Sequence, residues 1–319
     1  MRWFKPPTDR LNQIESRLAA LERSDHQALT REYVKEMIRD SIHRPLLEAP
    51  SLPDSAPFMR YSSCNTSDLF HPRYAQLCKL MNDRPRWHRK QWEYVFIMHH
   101  LLEANVLAPG MRGVGFGVGG EPLPCAFANL GAQVLGTDAP TDIKIKGGWE
   151  NSKEHSASLE QMKFPWIEDR IFYSRVNYAE CDMNNIDIAS ADFDFTWSSC
   201  CLEHLGTLQK GLDFIANSVE KCLRIGGIAV HTTELNLSSS LETIDASEST
   251  VLYRKQDLDL FVQEMRRRGH QANEILIGPA AHALDFHVDI PPFAQEPHLK
   301  LRLAGFVTTS VGVVVRKCV

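Results

Sequence analysis

The sequence predicts an α/β fold built on a doubly wound, mostly parallel sheet, with a helical extension at the N-terminus. The first observation behind this prediction is that strand-like apolar runs alternate with helix-like segments over residues 111–319. The second is a glycine-rich loop, Gly115 to Gly120, between the first apolar run and a helix-compatible segment. The third is a polar helical pattern near the N-terminus. We therefore predict an N-terminal helix over residues 1–45, a connector with flanking helices over 46–110, and a principal domain over 111–319.

Composition is that of an ordinary globular protein. The chain has 319 residues, of which 43% are hydrophobic and 24% charged, a net charge of −5 and a pI of about 6.2. Nucleic-acid binders carry a basic excess, so this balance argues against such a partner. None of the eight cysteines has CxxC spacing, and neither a signal peptide nor a membrane-spanning run is visible. We therefore expect a cytoplasmic protein with reduced cysteines.

The N-terminal segment, residues 8–42, has the pattern of a helix. Leu11, Ile14, Leu18 and Leu21 are separated by alternating steps of three and four, which is the spacing of a coiled coil. Two heptads are short for a coiled coil, and an amphipathic helix packed on its own domain explains the same stripe. Because the rest of this helix is polar, we expect it to mediate homo-oligomerisation or to bind another partner.

The proline- and serine-containing stretch over residues 44–70 predicts a surface connector. Two helices are predicted after it, over residues 72–81 and 87–107, and Pro109-Gly110 ends the second.

The glycine loop is the most informative stretch. A strand leads into it, a helix follows over residues 123–130, and a second strand over residues 133–136 ends close to Asp138. The glycines fit both GxGxxG, the dinucleotide pattern, and GxGxG, the pattern of S-adenosylmethionine (SAM) enzymes. An acid at the end of the second strand can accept both hydroxyls of a ribose, which predicts a nucleoside-containing cofactor. A tight turn that binds no ligand is the alternative.

The rest of the chain continues the alternation. An insert over residues 140–174 lies where insertions often shape substrate pockets. The predicted strands cover residues 175–180, 193–197, 228–232, 271–277 and 306–315, and the predicted helices cover residues 208–223 and 256–268.

Four landmarks occur in order along the chain. They are the glycine loop with Asp138, then Asp182-Met183, then Glu203-His204, and last the turn from Leu223 to Gly227. This set resembles the class I SAM-dependent methyltransferases, over Val106 to Arg316. The resemblance implies a Rossmann-like sheet that ends in an antiparallel β-hairpin, with SAM as cofactor and S-adenosyl-L-homocysteine (SAH) as product.

A narrower resemblance concerns short strings. WSSCCLEHLG, HTTELNL and PHLKLRLAGFVTTSVG, together with the N-terminal helical addition, look like bacterial methyltransferases of surface-glycan biosynthesis. This implies a SAM-dependent O-methyltransferase whose acceptor is a sugar or glycan hydroxyl.

The family resemblance also implies cofactor contacts. The glycine loop would pass under the methionine part of SAM, Asp138 would bind the ribose hydroxyls, Asp182 and Met183 would hold the adenine, and Ser198 would lie near the methionine end. The implied set is Gly115, Phe116, Gly117, Gly119, Asp138, Asp182, Met183 and Ser198.

One family feature is absent from this sequence. The family often has an acid early in the first strand that contacts the SAM amine. That position falls near Arg112 and Gly113 here, or is taken over by Phe116. Glu121 is a candidate substitute.

Methyl transfer to a hydroxyl needs an aligned acceptor and removal of its proton. Histidine titrates near neutrality, and the ligand-binding edge of such a sheet lies at the carboxyl ends of its strands. His204 is therefore the first candidate base, His231 and His298 are reserves, and Glu203 could orient an imidazole or bind the acceptor. A helix cap, a half-buried strand position and an ordinary loop explain the same histidines without catalysis. Mg²⁺ could bind Glu203, His204, His231 and Glu234, but their spacing does not support it and we predict no metal.

Two other functions fit part of the pattern. An NAD-dependent oxidoreductase fits GxGxxG, although Tyr253-Arg254-Lys255 lacks the YxxxK spacing that many of these enzymes use. A catalytically silent, methyltransferase-like scaffold fits the fold and the N-terminal helix. NAD binding would indicate the first, and SAM binding without turnover the second.

Overall fold

The computed structural model describes residues 50–140, 155–188 and 192–319. The predicted N-terminal helix, and with it the predicted coiled coil, lies outside the described residues. Among the helices of the described ranges, none combines the length and apolar character that crossing a membrane requires.

A mixed sheet of nine strands organises the described residues. The strands are β1 (Arg112–Phe116), β2 (Gln133–Asp138), β3 (Val176–Glu180), β4 (Phe193–Ser199), β5 (Leu223–Asn236), β6 (Gln271–Ala272), β7 (Val288–Asp289), β8 (Lys300–Leu303) and β9 (Phe306–Arg316). Their order is β3-β2-β1-β4-β5-β9-β8-β7, and β6 also pairs with β9. The first five run parallel, whereas β9 is antiparallel to β5, β6 and β8. The predicted fold class, a mostly parallel sheet that ends in an antiparallel hairpin, is confirmed.

Seven helices accompany the sheet in the described ranges. They are α1 (Thr66–Leu69), α2 (Pro72–Leu80), α3 (Arg89–Glu103), α4 (Leu123–Leu130), α5 (Asp169–Arg175), α6 (Leu208–Asn217) and α7 (Lys255–Arg267). The helix α4 has the predicted bounds, because Gly131 takes the left-handed conformation that ends it. The helix α3 begins later than predicted, at Arg89, because the ring nitrogen Nδ1 of His88 accepts the Lys90 amide and caps it.

The two faces of the sheet carry separate cores. Side chains of α2, α3 and α4 pack with Phe195 and Trp197 of β4 on one face. Side chains of α6 and α7 pack with Val114 and Phe116 of β1 on the other face. The glycines of β1 face the first core, and a Cβ on Gly115 would lie 2.2 Å from the Trp197 ring. Gly115 is therefore required by close packing under an aromatic ring.

The predicted strand over residues 271–277 is the main departure from the prediction. Only Gln271–Ala272 joins the sheet. After Ala272, the segment around Ser62 lies between β9 and the chain that follows β6. The Gly312 amide of β9 donates to the Ser62 carbonyl at 2.7 Å, and the Ser62 amide donates to the Leu276 carbonyl at 2.7 Å. The connector therefore takes the hydrogen bonds of β9 that the predicted strand would have used.

The closing strand β9 has two antiparallel neighbours in this region. Its pairing with the predicted strand over residues 271–277 is present at Gln271–Ala272, and it also forms a tight hairpin with β8 through Ala304 and Gly305. Upstream, α6 ends at Asn217 and a single π-type turn, Ser218–Cys222, replaces the last part of the predicted helix. The strand β5 then begins at Leu223, five residues before its predicted start.

Candidate active site

The candidate site lies at the carboxyl edge of the parallel strands, where α/β sheets bind their ligands. The glycine loop follows β1, Asp138 ends β2, and the segments after β4 and at the end of β5 lie beside them. Parallel register across β3, β2, β1, β4 and β5 brings these ends together.

The glycine loop turns through left-handed backbone conformations. Gly117 has φ +60° and Gly119 has φ +44°, conformations that other residues adopt only with strain. A Cβ on Gly117 would lie 2.9 Å from Cys201 Sγ, so the loop passes close to the segment after β4. The Phe116 side chain points to the opposite face and meets the Phe214 ring edge to face at 5.2 Å. Only its backbone belongs to this edge, where the Phe116 carbonyl accepts from Cys201 Sγ at 3.3 Å.

Asp138 fastens the loop to β2. Its Oδ2 accepts the backbone amides of Gly119 at 3.0 Å and Ser156 at 2.9 Å, and its Oδ1 accepts the Ala139 amide at 2.8 Å. Burial raises the pKa of this carboxyl above its ordinary value. The sequence predicts a ribose ligand here, and the structure adds that the same carboxylate holds the backbone around it.

The predicted adenine contacts lie at the end of β3. Asp182 Oδ1 accepts the Asn184 amide at 2.9 Å and so shapes the turn. Met183 is nearly buried, and its sulfur lies 3.7 Å from the position that a Cβ on Gly117 would occupy. Met183 and the glycine loop are therefore neighbours, as the implied cofactor set requires.

Glu121 follows the glycine loop directly and is only 4% exposed. Its Oε1 accepts the indole N–H of Trp197 at 2.6 Å. Burial raises the pKa of Glu121 to about 8. A carboxyl group that is protonated at neutral pH thus lies beside the loop.

His231 and Ser198 form a closed pair inside the sheet. Ser198 Oγ is 2.8 Å from His231 Nδ1, and Ser218 Oγ is 2.9 Å from His231 Nε2. His231 is fully buried, and this burial lowers its pKa to about 3. Both ring nitrogens are engaged by serines, so this neutral imidazole packs beneath the edge instead of opening onto it.

The segment after β4 contains the other sequence-predicted pair. His204 lies in the single helical turn Leu202–His204, and its Nδ1 bonds the Ser249 carbonyl. Glu203 is 1% exposed, and its Oε2 accepts from Thr233 Oγ1 at 2.9 Å.

His298 has a different environment. Its Nδ1 lies 2.8 Å from Asp289 Oδ2, and Asp289 is itself fixed by the Ala294 amide at 2.7 Å. The His88 ring lies 4.8 Å away and the Phe293 ring 5.3 Å away. Burial lowers the pKa of His298, and it lowers the pKa of His88 to about 4. His298 thus has a carboxylate at Nδ1, whereas both ring nitrogens of His231 bond serines.

Sequence reasoning missed a cluster of charges at the start of α3. We call it the charge cluster; its members are Arg89, Lys90, Glu93 and Glu234. Arg89 pairs with Glu234 at 2.5 Å and with Glu93 at 3.2 Å, and Lys90 pairs with Glu93 at 3.3 Å. Burial alone would raise the pKa of Glu93, but Lys90 and Arg89 hold it below its ordinary value. The only local signal was the spacing of a helical Arg, Lys and Glu at i, i+1 and i+4.

The charge cluster adjoins the segment after β4. Lys90 Nζ donates to the Ser199 carbonyl at 2.8 Å, and Ser199 Oγ donates to Glu93 Oε2 at 3.1 Å. The ligand-type atoms of Cys200, Glu203 and Glu234 lie within 4.8 Å of one another. Of the four residues weighed for a metal in the sequence, the two glutamates thus come together. Both ring nitrogens of His231 are hydrogen-bonded to serines, and the guanidinium of Arg89 already pairs with Glu234.

No protein-family model and no curated protein matches the sequence. Solved structures that resemble it include a magnesium protoporphyrin IX methyltransferase from Synechocystis PCC 6803 with bound SAH, at 12% identity and TM-score 0.42, covering 72% of this chain and 83% of that one. A SAM-dependent methyltransferase from Clostridium acetobutylicum ATCC 824 is 10% identical with TM-score 0.41, covering 72% and 92%. A 1,6-didemethyltoxoflavin-N1-methyltransferase from Burkholderia thailandensis, with bound 1,6-didemethyltoxoflavin and SAH, is 14% identical with TM-score 0.38, covering 69% and 76%. Likeness at this level concerns architecture, and the assignment of function rests on the residues of the site.

Proposed function

We propose that this chain is a SAM-dependent O-methyltransferase and that its acceptor is a sugar or glycan hydroxyl in bacterial polysaccharide biosynthesis. One observation carries the reaction class. Gly117 and Gly119 take left-handed conformations at the carboxyl edge of the sheet, and the Gly119 amide donates to Asp138 there. In the same sheet, β9 runs antiparallel beside β5. In the dinucleotide-binding fold, the strand next to the fifth one is also parallel. The antiparallel β9 therefore favours SAM over NAD. The acceptor class rests on the resemblance of short strings alone.

The residues present fit this cofactor. Each carboxylate oxygen can accept two hydrogen bonds. Among the described residues, Asp138 Oδ1 accepts one, from the Ala139 amide, and His155 Nε2 lies 3.8 Å away, so this oxygen can accept a second bond from a ribose hydroxyl. A side chain on Gly117 would fill the space against Cys201, and Met183 lies on the same side. Asp138 would hold the ribose, while Asp182 and Met183 would hold the adenine. When bound, SAM supplies an electrophilic methyl group on a positively charged sulfur.

The acceptor end must orient a hydroxyl and take its proton. The geometry favours His298 over His204, the first choice from the sequence. A carboxylate at Nδ1 fixes the tautomer in which Nδ1 carries the proton and Nε2 can accept one. Its lowered pKa keeps the ring neutral at pH 7, as a base must be before the reaction. His231 ranks last, because both of its nitrogens bond serines.

The charge cluster can position the acceptor without carrying its proton. Lys90, whose side chain is partly exposed, offers a donor, while the buried Glu93 holds Lys90 and Arg89 in place. The cluster touches β4, β5 and β9 through Ser199, Glu234 and Ser310. A polyhydroxyl acceptor presents oxygens that can accept from Lys90.

The first experiment asks which cofactor binds. Calorimetry should detect SAH and SAM and no NAD. NAD binding without SAH binding would contradict the proposal and favour the oxidoreductase. Incubation with methyl-labelled SAM and fractionated cell-envelope precursors should then label one glycan fraction. SAM binding with no labelled fraction would favour the scaffold.

The second experiment assigns the base. With the labelled acceptor, His298→Ala should lower kcat by ~10²–10⁴-fold and leave SAH affinity unchanged. Asp289→Asn should lower kcat and shift the pH profile, because the imidazole loses its orienting carboxylate. His204→Ala is the matched comparison. If that variant loses activity and His298→Ala retains it, the base is His204.

A further inference from the structure

Glu121 is a buried carboxyl group that has no cationic partner among the described residues. Its Oε1 accepts one hydrogen bond, from Trp197 Nε1, and its backbone amide donates to the Val118 carbonyl at 3.1 Å. Within the described ranges, no lysine, arginine or histidine lies at ion-pair distance from its carboxylate, and Oε2 makes no hydrogen bond. The neutral, protonated form is favoured in such surroundings because an isolated buried charge is costly.

Groups from several elements face this carboxyl. Lys90 of α3 favours the ionised form of Glu121, but its ammonium is paired with Glu93 at 3.3 Å. Glu93 and Asp138 oppose ionisation through their negative charges. The negative charge of Glu121 also contributes to raising the pKa of the Cys201 thiol and of the Tyr94 hydroxyl. Burial outweighs the Trp197 hydrogen bond and the Lys90 charge, so the pKa of Glu121 rises to about 8.

The position of Glu121 suits a ligand that enters over the glycine loop. It follows Gly117–Gly120 without an intervening residue, and Trp197, its donor, covers Gly115. The strand β1 cannot supply an acid on this face, because a Cβ on Gly113 would lie 2.1 Å from the Phe195 ring. Glu121 is thus the carboxyl group that this face offers next to the loop.

We propose that Glu121 is a cation-binding carboxyl group that receives the ammonium group of SAM or SAH, and that cofactor binding therefore releases a proton. The proton leaves the Glu121 carboxyl for solvent, and the carboxylate formed pairs with the ligand ammonium. This inference rests on the proposed function, since the cation is supplied by that cofactor. It adds that the affinity for the cofactor is controlled by pH through one residue.

The direction of the pH dependence follows from linkage. Below pH 8 the free protein holds a proton that the complex has lost, so SAH affinity should rise with pH by up to about tenfold per unit. Above pH 8 the free carboxyl is already ionised, and this contribution to the dependence should level off.

The test is calorimetry of SAH binding at pH 7 in buffers of different ionisation enthalpy. Wild-type protein should release about one proton more than Glu121→Gln, because a group with a pKa of about 8 is mostly protonated at pH 7. Glutamine retains the oxygen that accepts from Trp197, so the fold should persist. At pH 8.5 the same variant should bind SAH roughly tenfold or more weakly, through loss of a charge-assisted contact.

A ligand control needs no variant. Methylthioadenosine has the nucleoside and the thioether but no amino group, so its binding to wild-type protein should release no such proton and should tolerate Glu121→Gln. If SAH binds wild-type and Glu121→Gln proteins equally, with equal proton release, the role of Glu121 is overturned while the proposed function stands. If wild-type protein binds neither SAH nor SAM, both are overturned.

Discussion

The two ends of the candidate site are built in different ways. At the proposed cofactor end, Asp138 binds backbone amides of Gly119, Ala139 and Ser156, all within 19 positions of it along the chain. At the proposed acceptor end, Glu93 pairs with its helix neighbours Arg89 and Lys90 and also binds Ser310, which is 217 positions away. The first end depends on backbone conformation and a single carboxylate. The second depends on several buried charges that neutralise one another, so it should be the more sensitive to loss of one member.

The largest expected effect tests that sensitivity. Glu93→Gln removes the fully buried carboxylate between Arg89 and Lys90, so that Lys90 loses this partner and Arg89 keeps Glu234. We expect the free energy of unfolding to fall by about 3–5 kcal/mol. Urea unfolding at pH 7 measures it. Glu264→Gln is the control, because Glu264 pairs with Arg267 and Arg268 on the surface of α7 and should not shift the midpoint. Equal urea midpoints for wild-type, Glu93→Gln and Glu264→Gln proteins would contradict the proposed contrast between the two ends.

A smaller effect is expected at the cofactor end. Asp138→Asn should weaken SAH and SAM binding together by about 1.5–3 kcal/mol, through loss of a charge-assisted bond to the ribose. Calorimetry measures the affinity, and thermal unfolding shows whether the loop stays fastened. Glu180→Gln, at the end of the neighbouring strand β3 and exposed, should bind SAH normally. An unchanged affinity for Asp138→Asn would mean that this carboxylate only holds the backbone.

The smallest expected effect concerns the buried imidazole of His231. His231 is buried and neutral with its pKa lowered to about 3, so below pH 6.5 the unfolded chain binds a proton that the folded chain does not. Stability should therefore fall as pH decreases from 6.5, and His231 contributes about 1.4 kcal/mol per pH unit to this fall. His88, His99 and His100 add to it in the same direction. In urea unfolding at several pH values, His231→Gln should bind about one proton fewer on unfolding near pH 5. A slope equal to that of wild-type protein would contradict the neutral, enclosed state of His231.

Local sequence predicted the elements well wherever short-range signals define them. The helix α4 lies between the glycine loop and the left-handed Gly131, so its bounds follow from neighbouring residues. Packing decided other boundaries. The predicted strand over residues 271–277 is cut to Gln271–Ala272 because residues around Ser62 take the hydrogen bonds of β9. No periodicity near residue 271 contains that information.

The same division holds for the histidines. His204, His231 and His298 are all candidate bases in the sequence: His204 follows a predicted strand, His231 ends one, and His298 lies in the loop before the last one. Partners from elsewhere in the chain distinguish them. Ser218 occupies Nε2 of His231, and Asp289 orients the ring of His298 through Nδ1.

The sequence by itself determined the doubly wound fold, the glycine loop and Asp138, because backbone conformation, helix caps and strand ends are set by residues close along the chain. The tertiary structure alone decided that Arg89 meets Glu234, that Asp289 holds His298, and that Glu121 is buried against Trp197. Charges brought together from distant positions interact only after the chain has folded, since their pairing and desolvation depend on packing that no local pattern encodes.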